Sequence, residues 1–270
     1  MDSLILVLFF QVILESFPIS SSGHLFFLKK FFQKNLDKTG LSFVEHFSHV
    51  PTFLIIAAVF WKEWTSIFLK LIRFDFGRDS YRRLLSIVIR IALLALVVCL
   101  ITIFFYMILK IFGGKFVFLT EQTSVLIGFS ITTLILLSTL FVPENREIWD
   151  FRKSVILGVA QGISLLPGIS RLGTTYVAAR WLGISSRRSL QISFLGFVPL
   201  IMGSAFEGCM KLRKIKISFE LNFSSMNLIL IAILLGFVGL LITKRLAYKS
   251  KFWGFGIYMF FELLILSRLI

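Results

Sequence analysis

Apolar and polar residues follow one another along this chain in long blocks rather than in the short periods of a soluble fold. The apolar stretches run over 3–17, 42–61, 84–109, 122–142, 154–166 with 174–183, 189–209, 227–243 and 252–269, with short polar segments between them. A hydrocarbon core of about 30 Å takes about 20 helical residues at 1.5 Å each. Six blocks (42–61, 84–109, 122–142, 189–209, 227–243 and 252–269) are therefore expected to cross a membrane, the shorter ones with local thinning. The first block and the 154–183 region are different, because Pro, Gly and Ser interrupt them in "ESFPISSSGH" (15–24) and "LLPGISRLGTT" (165–175). Such breaks leave backbone polar groups unpaired, which is tolerated at membrane depth only where protein buries them or a wet cavity receives them. Each is expected to form a broken, re-entrant helical hairpin.

The two breaks are related. Laying 11–24 over 161–174 pairs Gln11 with Gln161, Ile13 with Ile163, Ile19 with Ile169, Ser20 with Ser170 and Gly23 with Gly173, all at one offset. The expected fold is an all-α polytopic membrane protein, a single integral membrane domain over 1–270. It has about six transmembrane helices, two broken hairpins and an inverted-topology internal repeat with halves near 1–142 and 143–270. Broken helices in matching places of two halves point to a site at the repeat interface.

Composition sharpens this picture. With 57% hydrophobic residues, 32 of them Phe, and a mean hydropathy of +0.90, a water-soluble domain is excluded. The net charge of +15 would suggest nucleic acid in a soluble chain. Here the basic residues sit mostly in short loops, where lipid headgroups and topology account for them, so membrane lipids are expected as partners and nucleic acid is not. The strongest cluster, Lys62, Lys70, Arg73, Arg78, Arg82 and Arg83 in a loop at 62–83, is expected in the cytoplasm. That places 143–153, 184–188 and 244–251 inside, and the N-terminus, 29–38, 110–121, 211–226 and the C-terminus outside. The hairpins then enter from opposite faces. Cys99 and Cys209 have no metal spacing, and "MDSLILVLFF" lacks the basic region and cleavage site of a secretory signal, so it is expected to stay in the mature chain. Arg90, Glu207 and Glu262 lie near span ends, where snorkelling explains them.

The chemistry lies in the breaks. Gln11 and Glu15, four apart, share a helical face, and an ionisable side chain in an apolar segment marks function unless it snorkels or caps the turn. Ser20, Ser21, Ser22, Gly23 and His24 supply three hydroxyls, backbone N–H groups and an imidazole, a composition suited to phosphate as well as to plain helix capping. Arg171, set among hydroxyls, offers a guanidinium fork that matches phosphate; its alternative partner is Glu15, and both versions bring the hairpins together.

Gln11 and Glu15 followed by PISSSGH (18–24), with PGISRLGTT (167–175) in the second half, resemble the undecaprenyl-diphosphatase family, bacterial inner-membrane proteins also known for bacitracin resistance. The similarity in apolar layout extends over essentially the whole chain. The family patterns are (E/Q)-x-x-x-E and P-G-x-S-R-S-x-x-T; this chain has Leu172 in place of the second Ser, Gln11 at the first acidic position, and Pro51 in "HVPT" where Gly is usual. The resemblance implies hydrolysis of undecaprenyl diphosphate to the monophosphate and inorganic phosphate, recycling the lipid carrier for cell-wall synthesis, with the active site on the outer side. It implies Glu15, Ser21, His24 and Arg171 as catalytic residues, with Ser21 or His24 as nucleophile or proton-transfer group. Ser20, Ser22, Gly23, Ser170, Gly173, Thr174 and Thr175 are the implied substrate-binding positions. Gln11 and Glu15 are the positions implied for a divalent cation, Mg²⁺ or Ca²⁺. Glu45 and His49, four apart in the next helix, complete that shell or satisfy each other. Inverted repeats and broken helices also characterise secondary transporters, so a flippase of isoprenoid lipid phosphate is the alternative.

Overall fold

The computed structural model describes residues 3–31, 44–72, 78–112, 120–214 and 223–269, and regular structure among them is helical. Helix α1 (Ser3–Leu14) breaks at Glu15–Ile19 and resumes as α2 (Ser21–Phe31). Next come α3 (His49–Val59), α4 (Trp61–Ile72), α5 (Arg78–Phe112) and α6 (Glu121–Ser138). The second half repeats the break: α7 (Phe151–Ile163) stops before Pro167 and α8 (Arg171–Trp181) begins after it. It closes with α9 (Ser186–Lys214), α10 (Phe223–Tyr248) and α11 (Trp253–Leu269).

Four stretches are long and apolar enough to cross a membrane: Tyr81–Ile111, Glu121–Phe141, Ser186–Gly208 and Met226–Tyr248. Two blocks expected to span with local thinning form shorter apolar helices among the described residues. The 42–61 block forms an apolar helix over Val44–Val59 with a turn at Ser48, because Pro51 has no N–H to donate one turn back. The 252–269 block forms the 17-residue α11, about 25 Å long at 1.5 Å per residue. The 62–83 segment, expected as a loop, is mostly helix: α4 occupies Trp61–Ile72 and α5 starts at Arg78. Its basic residues conceal an amphipathic helix whose Glu63 accepts a hydrogen bond from Lys244 Nζ at 2.7 Å, while the same ammonium donates to Val59 O at 2.9 Å. Arg90 sits well inside α5 rather than near its end. The loops expected at 29–38, 110–121 and 211–226 lie largely outside the described residues.

The halves exchange partners. α1 packs on α10 and, correspondingly, α7 packs on α5; α3 meets α10 where α9 meets α5; α6 pairs with α11, and α3 with α9, across the centre. The segments expected on one side of the membrane are bonded to one another. Arg180, 2% exposed, donates to the carbonyls of Ile184, Val142 and Pro143 and pairs with Glu144 at 3.1 Å. Glu144 in turn accepts from the Ser186 amide and hydroxyl and from Ser250, tying 142–150, 183–186 and 249–252 into one layer.

Helix α6 is the platform under both breaks. A Cβ on Gly128 would overlap Pro167 O and lie 2.6 Å from Gly168, while the neighbouring Phe129 fills the space beside Gly23. Thr132 donates to Gly168 O at 3.0 Å and accepts from the Ser170 amide at 3.0 Å. Because the obstruction at Gly128 is backbone and cannot swing aside, Gly128→Ala is expected to destabilise the protein by about 1–3 kcal/mol. A thermal midpoint in detergent equal to that of the unaltered protein would contradict this packing.

Candidate active site

Each break is stabilised by the same local device. Ser170 Oγ accepts from the Gly173 amide at 3.1 Å and caps α8; at the equivalent place, Ser20 Oγ accepts from the Gly23 amide at 3.3 Å and caps α2. Gly168, at φ +84°, takes a left-handed conformation that a side chain would strain. Carbonyls released by the breaks find protein donors: Ser16 O accepts from Thr243 and Gly168 O from Thr132, which meets the requirement that no such group face lipid unpaired. The two turns touch, since a Cβ on Gly173 would lie 3.1 Å from Pro18 O. Two helix N-termini, each a source of partial positive charge, therefore open close together.

Between them lies a cavity of about 220 Å³, lined by Gln11, Glu15, Ser20, Ser21, Ser22, Glu45, His49, Ser164, Ser170 and Arg171 on its polar side. Phe17, Ile19, Leu165, Leu166, Ile169, Leu172 and Phe197 form the rest.

The carboxylate of Glu15, 4% exposed, is surrounded by donors. Oε1 accepts from Gln11 Nε2 at 2.8 Å and Ser48 Oγ at 3.2 Å; Oε2 accepts from Thr52 Oγ1 at 2.5 Å and lies 3.2 Å from His49 Nδ1. Both hydroxyls also face backbone carbonyls, Ser48 Oγ that of Glu45 at 2.9 Å and Thr52 Oγ1 that of Ser48 at 3.0 Å, so each shares its one hydrogen. The hydrogen bond to Oε2 fixes the hydrogen on His49 Nδ1, so the other ring nitrogen is the one left to act in the cavity that His49 lines.

Arg171 has the opposite character. Its Nε is buried without a hydrogen-bond partner, and its guanidinium rests 5.1 Å above the ring of Phe197. No ion pair within 4.0 Å joins it to Glu15, so the internal pairing weighed from sequence is not what holds this cation. A buried N–H without a partner is costly, and an anion bound in the cavity relieves that cost.

Sequence-derived positions divide as follows. Gln11, Glu15, Ser20, Ser21, Ser22, Ser170 and Arg171 share the cavity. Gly23 and Gly173 are buried and allow close packing of the turns. Thr175 bonds back to the carbonyls of Arg171 and Leu172, and Thr174 Oγ1 is buried without a partner; neither lines the cavity. His24 does not line it either, and pairs with Glu262, which had been assigned to snorkelling. Glu45 lines the rim, and His49 bonds to Glu15. Sequence reading missed Ser48 and Thr52, although their spacing of four puts them on one helical face beside His49. It also missed Phe197 and Thr132, which no local pattern announces.

Gln11 turns its amide N–H to Glu15, leaving its own Oε1 buried and unpartnered. Among the described residues no three His, Cys, Asp or Glu side chains group as ligands.

Against known proteins, the chain matches the family described as Bacitracin resistance protein BacA over residues 4–262. It is similar to the undecaprenyl-diphosphatase of Borrelia recurrentis (strain A1), 33% identical over 269 residues, 96% of each chain. It is also similar to those of Borrelia hermsii (strain HS1 / DAH), 31% identical over 93% of this chain and 92% of the relative, and Methanococcus maripaludis (strain C5 / ATCC BAA-1333), 30% identical with the same coverage.

Proposed function

This chain belongs to the bacitracin resistance protein BacA family, and from that premise we infer that it is a membrane phosphatase, hydrolysing undecaprenyl diphosphate to the monophosphate and inorganic phosphate. The lipid carrier is thereby returned to cell-wall synthesis. One observation supports the reading above all: a guanidinium whose buried Nε has no partner lines a cavity shared with a serine turn and a carboxylate held among donors.

The terminal phosphoryl group binds between the two turns, with Arg171 and the N-terminal amides of α2 and α8 holding its charge. Loose phosphoryl-transfer transition states spread charge over the equatorial oxygens, so fixed donors around that group supply most of the rate. Ser21, at the first residue of α2 and in the cavity wall, is the nucleophile. Its oxygen bonds to the terminal phosphorus as the bridging P–O bond breaks and the lipid monophosphate leaves. Its proton passes to His49, which Glu15 holds in the required tautomer. His49 passes that proton to the departing lipid monophosphate; water then attacks the phosphoserine as neutral His49 takes the water's proton and returns it to Ser21 Oγ, and the Ser21 O–P bond breaks to release inorganic phosphate. Mg²⁺ or Ca²⁺, where used, enters with the diphosphate rather than in a protein cage. Leu172 leaves this chain one hydroxyl short of the family motif, so Arg171 carries more of the binding.

Glu15→Gln places an amide among four donors. It is expected to cost about 1–3 kcal/mol of stability through one mismatched donor and about 10²-fold in kcat through the disoriented base. An unchanged kcat in folded protein would remove Glu15 from the mechanism. We further place the protein in the bacterial inner membrane with the cavity opening outward. In sealed vesicles of fixed protein orientation, diphosphate in the leaflet facing the cavity is expected to yield monophosphate and phosphate on that side. Transfer of intact diphosphate between leaflets without phosphate release would favour a flippase instead.

A further inference from the structure

The pair formed by His24 and Glu262 lies outside the cavity and is not used in the mechanism above. His24 is 7% exposed, and both of its ring nitrogens are occupied. Nδ1 lies 2.6 Å from the carbonyl oxygen of Ser20, an acceptor, so Nδ1 carries hydrogen. Nε2 lies 2.5 Å from Glu262 Oε2, with Tyr258 Oη at 3.2 Å. The Tyr258 ring stacks parallel to the imidazole, at 6.1 Å and 7°, and Phe129 closes another side with centroids 5.1 Å apart. An imidazole held this way has both nitrogens engaged by protein groups and presents neither to the cavity.

We propose that Glu262, on the last helix, positions the Ser20–Ser22 turn for catalysis through His24, and that His24 is the link rather than a group that meets substrate. This rests on the phosphatase reading and adds a residue that lies 238 positions from the one it grips. The linkage is short: Glu262 fixes the imidazole, and the imidazole fixes the Ser20 carbonyl. Ser20 also receives the Gly23 amide on its hydroxyl and immediately precedes Ser21. The same carbonyl accepts the His24 amide at 3.1 Å, so releasing the ring removes one of the two hydrogen bonds that set the start of α2 and loosens Ser21 beside it. Because a displacement of about 1 Å at a reacting group costs up to about 10²-fold in rate, a positioning residue acts on kcat more than on KM.

The test is a double-mutant cycle in purified full-length protein, with phosphate release from a long-chain isoprenyl diphosphate as the readout and each rate normalised to folded protein. Glu262→Ala is expected to lower kcat on the order of 10-fold with KM within about twofold. Glu262→Gln, which can present an oxygen or an amide N–H to Nε2, is expected to restore most of the rate. In a His24→Asn background, Glu262→Ala is expected to cost nothing further, because the link is already broken. Independent, multiplicative losses would overturn the proposal, as would a wild-type kcat in Glu262→Ala or a loss confined to KM. Turnover by the unaltered protein in the same preparation reports on the phosphatase reading by itself, so the two ideas fail separately.

Discussion

Ser21→Ala is expected to reduce phosphate release by about 10⁴-fold or more, the loss typical of removing an activated nucleophile from a preorganised site. The variant should remain folded. Ser21 has no part in capping α2, which Ser20 performs through the Gly23 amide, and its side chain is only half-buried in the cavity wall. Substrate binding should survive as well, because Arg171 and the helix amides are untouched. The expected signature is thus a collapsed kcat with a near-normal affinity for diphosphate, measured by competition of the inactive variant for substrate. Appreciable turnover by Ser21→Ala would show that water attacks directly, and the serine would then be a binding group alone.

The second large effect is at Arg171. Arg171→Ala is expected to lower kcat/KM by about 10³-fold, since the guanidinium meets the phosphoryl oxygens in the ground state and more strongly as charge develops. Lys is expected to rescue little: an ammonium offers no planar fork and stacks less well on Phe197, which now lies 5.1 Å beneath the guanidinium. Stability should move in the other direction or not at all. The folded protein already bears a buried Nε without a partner, and removing it relieves an unpaired polar group. A thermal midpoint in detergent that is equal or higher, together with a nearly inactive enzyme, is the expected combination. A large fall in stability would mean that Arg171 is held by protein contacts and is structural.

Much of this site could be read from two short segments, and the reason is physical. Breaks in apolar helices need Pro, Gly and Ser at fixed places, so Ser20 to Gly23 and Ser170 to Gly173 announce themselves locally, and a charge such as Glu15 or Arg171 stands out against an apolar background. What surrounds those residues was less legible. Ser48 and Thr52 reach Glu15 from another helix, Phe197 reaches Arg171 from α9, and Glu262 reaches His24 from α11. Those contacts are products of tertiary packing, and no local spacing encodes them. The apolar blocks mark the helices well, and the 42–61 block is helical from Val44 to Val59 with a turn at Ser48. Basic residues at 62–83 suggested a loop because charge density alone does not distinguish a polar loop from an amphipathic helix held by Lys244 and Glu63.

The account rests on one claim, that the two broken hairpins make a single phosphate-cleaving site. Its most direct test is release of inorganic phosphate from long-chain isoprenyl diphosphate by the purified protein in detergent, beside Ser21→Ala and Arg171→Ala, which alter one hairpin each. The predicted result is stoichiometric lipid monophosphate and phosphate from the unaltered protein, with both variants nearly silent. No phosphate release from folded, unaltered protein, or full activity in either variant, would contradict it.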